Sequence, residues 1–444
     1  MALTYDDYIK AIKSKIIQPV FRFSLLNPDE SVKQDISEYL INGSGSLSIN
    51  YQQGQRRSLN FALRNPGGIW TPNANTNNMW IGTKFKLDLG IRIKSTFYVD
   101  TLDGGTASST FADTVDGGSA SSSGSTIING GVARWEIGSD GTSTYWYSNG
   151  VFPIGDPNST HNNSDKQVSI QCYDKFALLD GTLGGVTEGT YTISSGTNIK
   201  QAVADILMSD NGNGYPIDMK PLIFDSRYAS TVTSYTITKS PNSSLGEIII
   251  ELANMISCDV YYNESGNLVF QAGIDDIAHI NKPTLWTYSD SELEYISSNL
   301  THNFSKVKNR VTVFATNSST NVSYSALSEN TNPTSPTRIS KIGIKNYYLE
   351  DNNISSDDLA QDRADYELNK LAIVQLTNNL QSTYMAHLDV NKCIAVSDTF
   401  FGFKDTRFII QSLDIPLETG SQIDITASNI AELPFYDSTT GSTS

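Results

Sequence analysis

The chain has 444 residues, 38% of them hydrophobic and 10% aromatic, with a formal net charge of −16. That length exceeds one ordinary domain, and the apolar share supplies real cores, which excludes a disordered chain. The acidic balance, with a pI near 4.6, argues against a surface built for duplex nucleic acid, whose affinity rests on cationic contacts to phosphate.

The opening stretch "MALTYDDYIKAIKSKII" repeats Tyr5, Ile9, Ile12 and Ile16 at helical spacing, and Pro19 is expected to stop the helix. Asp6 and Asp7 deny it the continuous apolar core of a signal peptide. No run approaches the roughly 18 apolar residues of a membrane span, so a soluble protein folded in a cytoplasm is expected. "PVFRFSLLNPDESV" reads as a strand and turn. Alternation then gives strands through Leu47, Ile49 and Tyr51, through Leu59, Phe61 and Leu63, and through Phe85, Leu87, Leu89, Ile91 and Ile93. Only "GQRRSLNFALR" (54–64) comes near a basic patch.

From about 97 to 150 the composition shifts, and "DGGTASS" at 103–109 is echoed by "DGGSASS" at 116–122. Two copies are too few for a solenoid, so a long loop or extra hairpin inserted into the β unit is expected. Aromatic strands follow, with turns expected at Asp140-Gly141 and Asn149-Gly150. Val168, Ile170 and Cys172 then alternate. The three cysteines, Cys172, Cys258 and Cys393, lie far apart among apolar residues and are expected to be buried and free.

The stretch 186–284 is mixed. Ile199, Ala202, Val203, Ile206 and Leu207 share one helical face. Ser244 and Glu247 form a Ser-x-x-Glu capping box ahead of Ile248, Ile249, Leu252 and Ile256. "CDVYY", the turn "NESG" and "NLVFQ" complete a hairpin. From about 285 the chain is β-rich again ("NRVTVFA", "KIGIKNYYL", "TRFIIQSLDIPLETGSQIDITASNI"). A helix is inserted at about 355–373, with acids in its first turn and Leu359, Tyr366 and Leu371 expected inside. The expected division is 1–185, 186–284 and 285–444, two β units flanking an α+β unit, a pattern that a duplication also leaves.

Catalytic constellations are sparse. The sequence has no phosphate-cradling GxxxxGK[ST], no HExxH and no GxSxG, and its histidines (His161, His279, His302, His387) are scattered. "DSELEYI" (290–296) and "EDNNISSDD" (350–358) could be read as calcium loops or acid/base pairs, but lack the ligand pattern or run into a helix start. "SDNGNGYPID" (209–218) is the best calcium look-alike, although Gly takes two ligand positions and a Gly-rich helix stop is the simpler reading. "YWYSNGVF" (145–152) could stack on sugar, yet its spacing also suits core residues. No catalytic, cofactor-binding or metal-binding residue is assigned, and no cofactor is expected.

The order of the pieces resembles phage tail hub proteins. "GVFPIGDP" with "VSIQCYDKFALLDG" resembles the closing strands of that family's first domain. "TYTISSGTNIKQAVADIL" and "SSLGEIIIELANMISCDVYYNESGNLVF" resemble its middle domain. "NFSKVKNRVTVFA" resembles the strand that opens its second β unit, and "IAVSDTFFGFKDTRFIIQSLDIPLETGSQIDITAS" its closing hairpins. The chain departs from the family at Val396-Ser397-Asp398, where a Pro-Gly-Asp-like turn is usual. The resemblance implies a multidomain, mainly β protein with α+β content: two β-barrel-like hub domains, 1–185 and 285–444, flanking a small α+β linker domain, 186–284. It further implies a homotrimeric, non-enzymatic hub of a tail tip or baseplate, adapting a sixfold tail tube to a threefold spike or lysin. Further copies of itself, tube or distal tail ring proteins, the spike or lysin and other baseplate or tail-tip proteins are the implied partners, with the tape measure protein as a further candidate. The implied location is the virion, after assembly in the host cytoplasm, without specific nucleic-acid binding or membrane insertion. The alternatives are a tail-associated carbohydrate or receptor binder and a cell-wall hydrolase.

Overall fold

Strict two-residue alternation along the chain produces one large sheet of fifteen strands, through which the hydrophobic core runs continuously. The computed structural model describes residues 5–13, 17–73, 79–94, 123–128, 131–137, 142–161, 166–210, 212, 214–256, 258–272, 282–317, 322–350, 356–429, 436–437 and 442–443.

The N-terminal part contributes Gln18–Leu26, Lys84–Lys94, Thr142–His161, Lys166–Cys172, Arg57–Arg64 and Ser46–Asn50 to this sheet. Along Lys84–Lys94, the side chains of Phe85, Leu87, Leu89 and Ile91 all face inward, as the alternation predicts. The C-terminal part contributes Phe403–Pro416, Gln422–Asn429, Leu376–Thr383 and Tyr295–His302, with Cys393–Asp398 and Thr284–Ser289 alongside. The two parts meet where Ser46–Asn50 pairs antiparallel with Phe403–Pro416, Leu47 opposite Ile415 and Ile49 opposite Leu413. All four of these side chains are fully buried.

This pairing corrects the expectation of two barrel-like domains. The Ser46–Asn50 edge takes its second partner from the other β part, so the sheet runs on as an open path ending at Tyr295–His302 and Val32–Asp35. No sheet closes into a barrel among the described residues.

Several local expectations change as well. The N-terminal helix spans Tyr5–Ile12, and Pro19 lies inside the strand Gln18–Leu26 rather than ending the helix. Asn149-Gly150 is no turn: the strand Thr142–His161 runs through it, with a register shift opposite Lys86–Asp88. Gly150 takes φ 129° there, and a Cβ would meet the Phe152 ring at 2.8 Å, so the bulge requires glycine. Asp140-Gly141 and both "DGG" echoes lie outside the described residues. The insertion does supply a hairpin, Ser123–Ile128 with Gly131–Ile137, which extends the large sheet through Thr142–His161.

The middle stretch packs the helices Ile199–Met208 and Leu245–Met255 onto short strands around a separate aliphatic core. All five residues predicted for the first helix face are buried, as are Ile248, Ile249, Leu252 and Ile256. The Ser244 hydroxyl accepts from the Glu247 N–H at 3.1 Å, the first leg of the predicted capping box. The hairpin Cys258–Tyr262/Leu268–Ala272 follows, with Asn263 Oδ1 accepting from the Ser265 and Asn267 N–H groups across the turn.

Arg310–Asn317 does not open the second β part. It pairs with Val322–Glu329 and Asn346–Glu350 in a separate three-stranded sheet, covered by the helix Asp357–Leu371. Thr284–Ser289 and Tyr295–His302 are the strands that begin the C-terminal part of the large sheet. "KIGIK" is not extended: Ile339–Ile342 is a short helix that ends at Gly343, φ 75°. The inner stripe of Asp357–Leu371 is Ala360, Ala364 and Leu368, while Tyr366 and Leu371 are only half-buried. Small alanines let the helix lie close to Val311 and Val313 of the sheet. No described helix is long and apolar enough to cross a membrane.

Candidate functional site

The densest polar construction among the described residues is a buried joint where the N-terminal β part, the middle module and the C-terminal β part meet. It is built on two short stretches, "QQGQRR" (52–57) and "YDKF" (173–176). Asp174 precedes the short 3-10 turn Lys175–Leu178, and its carboxylate accepts from the backbone N–H groups of Phe176 (2.9 Å), Arg56 (3.1 Å) and Arg57 (2.9 Å). One carboxylate thus fixes both stretches to each other. Burial pushes the Asp174 acid upward, against the opposing pull of these hydrogen bonds and of Arg57.

Arg57, 5% exposed, reaches across all three parts. Its Nη1 donates to the Tyr262 carbonyl of the middle hairpin at 2.6 Å, and its Nη2 to Asp389 of the C-terminal part at 2.7 Å. Arg56, 2% exposed, lays its guanidinium 3.4 Å from the Tyr261 ring centroid and 4.7 Å from that of Tyr51. The Tyr51 hydroxyl donates to Asp259, which lies 3.6 Å from Arg56 Nη2. Two of the three cations in the stretch read as the nearest thing to a basic patch are therefore interior and committed to protein partners, while Arg64 is exposed.

Lys175 is the third buried cation, with no exposed side-chain surface. Its Nζ lies 2.7 Å from both Glu30 and Asp218 and donates to the Gly266 carbonyl at 3.0 Å. Burial works to raise the Glu30 acid, but Lys175 and Lys84 outweigh it and hold the carboxyl below its ordinary range. Burial first, and the Asp218 charge second, push the Tyr262 phenol well above its ordinary value.

Gly246 completes the joint. Its N–H donates to the Leu179 carbonyl at 2.6 Å, and a Cβ there would meet the Phe176 ring at 2.8 Å. The glycine of the "LGEI" segment lets the helix start rest on the 3-10 turn.

The other candidates resolve into structural roles. In "SDNGNGYPID", Asp210 Oδ1 accepts from the N–H groups of Gly212 and Gly214 across the turn, and Asp218 is the Lys175 partner. In "DSELEYI", Asp290 holds the N–H and hydroxyl of Thr399, while Glu292 and Glu294 face Lys13 at 3.5 and 3.9 Å. Most of "EDNNISSDD" lies outside the described residues. Of "YWYSNGVF", Tyr145, Tyr147, Val151 and Phe152 are core residues, and Arg22 stacks on the Trp146 ring at 4.4 Å. His161 and His302 are exposed, His387 is buried, and His279 is outside the described residues. All three cysteines are buried and free. No group of three or more His, Cys, Asp or Glu that could hold a metal ion occurs among the described residues. At the departure Val396-Ser397-Asp398, Asp398 caps the following turn through the N–H groups of Phe400 and Phe401, and Gly402 takes the left-handed position at φ 70°.

Sequence reasoning missed the joint because its charged partners, Arg57 with Asp389 and Lys175 with Glu30 and Asp218, lie far apart along the chain. The available signal was the pair Asp174-Lys175 lodged between the alternating strand that ends at Cys172 and the apolar run Phe176–Leu179.

No family model matches the chain, and no curated protein matches it in sequence. In fold it is similar to the tail protein from Neisseria meningitidis MC58, at 11% identity and a TM-score of 0.51, over 93% of this chain and 98% of that one. It is also similar to the 43 kDa tail protein of prophage MuSo2 from Shewanella oneidensis, at 10% identity and a TM-score of 0.50, over 92% and 98% of the two chains. The resemblance to tail proteins therefore extends to the fold of nearly the whole chain.

Proposed function

We propose that the chain is a structural component of a phage tail tip or baseplate, a homotrimeric central hub. It adapts a sixfold tail tube to a threefold spike or lysin, and its β parts alternate around a ring enclosing part of the DNA channel. The observation that carries this reading is the tail-protein fold, matched over more than nine-tenths of both chains. In this reading 1–185 and 285–444 are the hub domains, and 186–284 is the bracket between them. The buried joint supports that role, since Arg57 and Lys175 tie the bracket to its neighbours through interior contacts rather than through an open cleft. The acidic balance suits a channel that passes DNA without holding it. The partners are tube or distal tail ring proteins on one side, a spike or lysin on the other, and the tape measure protein in the channel. The chain acts in the virion, assembled in the host cytoplasm, and performs no catalysis itself.

Electron-microscope class averages of the purified chain test the proposal. End-on views should show a threefold ring with a central opening; compact particles of single-chain size, without an opening, would count against it.

A further inference from the structure

The N-terminal helix Tyr5–Ile12 crosses the boundary between the two β parts, and its seat is aromatic and polar at once. Tyr8 is fully buried. Its ring stands 5.5 Å from Tyr145 and 5.3 Å from Tyr147, both on the strand Thr142–His161 of the N-terminal part. Its hydroxyl lies 2.6 Å from Nδ1 of His387, in the C-terminal part. Lys13, just past the helix, faces Glu292 and Glu294 and lies 6.0 Å from the Trp286 ring centroid.

His387 is 5% exposed, and its Nε2 has no hydrogen-bond partner among the described residues. The groups facing its ring are Tyr8 from the helix, Tyr147 at 6.2 Å from the N-terminal part and Trp286 at 5.6 Å from the strand Thr284–Ser289. None of the three is a carboxylate. The charged groups at this end of the seat are Lys13, Glu292 and Glu294, with the cation Lys13 on the Trp286 side. A neutral imidazole suits this seat, because Nδ1 can accept from the Tyr8 hydroxyl. An imidazolium does not: Nδ1 gains a proton and can no longer accept from the Tyr8 hydroxyl, and no anion faces the buried charge.

We propose that the helix Tyr5–Ile12 is an acid-released strap: protonation of His387 unseats Tyr8, frees the helix, and uncovers the aromatic seat between the two β parts. The helix is only eight residues long, so it opens at far less cost than the sheet beneath it. The direction follows from linkage. Burial lowers the His387 imidazole to about 3 from an ordinary value of 6.5, whereas a hydrated ring in the opened state takes its proton near 6.5. The seat is therefore undisturbed above pH 6.5, and the opened population rises up to tenfold per pH unit from 6.5 down toward 3.

Hydrogen exchange of the full chain, corrected for intrinsic amide rates, tests this. Between pH 7.5 and pH 5, amides of residues 8–13 should lose protection by about thirtyfold. Amides of the core helix Leu245–Met255 should hold theirs. In His387→Gln, whose amide oxygen still accepts from Tyr8 but does not titrate, the loss should vanish. An unchanged wild-type helix, or an equal loss in the variant, overturns the proposal. Should the variant not fold, carbon-labelled histidine in the wild type decides: a His387 signal that titrates near 6.5 while the helix stays protected overturns it. A signal that titrates only as the helix loses protection supports it.

Discussion

The middle module faces its helices inward with large aliphatics: Ile199, Val203, Ile206 and Leu207 on one, Ile248, Ile249 and Leu252 on the other. The later helix Asp357–Leu371 meets its three-stranded sheet with Ala360, Ala364 and Leu368, and even buries most of Glu367 beside its i,i+4 partner Arg363. The first module is also bolted to the N-terminal β part by buried charges, with Arg57 reaching on to Asp389 of the C-terminal part, whereas the Ser328–Asp365 and Arg363–Glu367 contacts stay inside the second. The contrast teaches that one arrangement, helix on sheet, can be held by bulk and buried charge or by close approach of small residues. The two respond to substitution in opposite ways.

Lys175→Met gives the largest expected effect. It strands Asp218 in the interior, and breaking a buried pair from one side costs about 3–5 kcal/mol. Hydrogen exchange should report that loss in the middle module and leave the Asp357–Leu371 helix unchanged; an equal loss in both would erase the distinction. Paired core substitutions come next. Leu252→Ala should cost about 2–5 kcal/mol through its cavity, whereas Ala364→Leu should cost about 1–3 kcal/mol by overpacking against Val311 and Val313. Local exchange free energies read both, and a stabilising Ala364→Leu would show that close approach is not what holds the second module. The smallest expected effect belongs to Ser244→Ala, at about 1 kcal/mol, seen as fraying of the first turn of Leu245–Met255.

The same contrast explains what the sequence made legible. The middle helices announce themselves because apolar residues recur at i, i+3 and i+4 behind a capping residue, Asn198 for the first and Ser244 for the second. The later helix announced itself through the acids of its first turn, but its inner face was misread, because alanine carries little periodic signal and Tyr366 and Leu371 advertise a face that is not the inner one. Strands with clean alternation, such as Phe85–Ile91, were readable down to which side is dry. Their partners were not: nothing in "GSLSIN" says that Leu47 pairs with Ile415 of a distant hairpin, so nothing in the residues stood against the barrel-like domains that the resemblance implied, where an open, shared sheet is found. The joint was invisible for a related reason. Arg56, Arg57 and Lys175 look like surface cations until the fold brings Asp389, Asp218 and Glu30 to them.

The central claim, that this chain closes into a threefold hub, is tested most directly by its solution mass. Light scattering of the purified chain, at two concentrations and at low and moderate salt, should give a species near three times 48.6 kDa. A mass of 48.6 kDa under every condition, or a fixed dimer or tetramer, would contradict it.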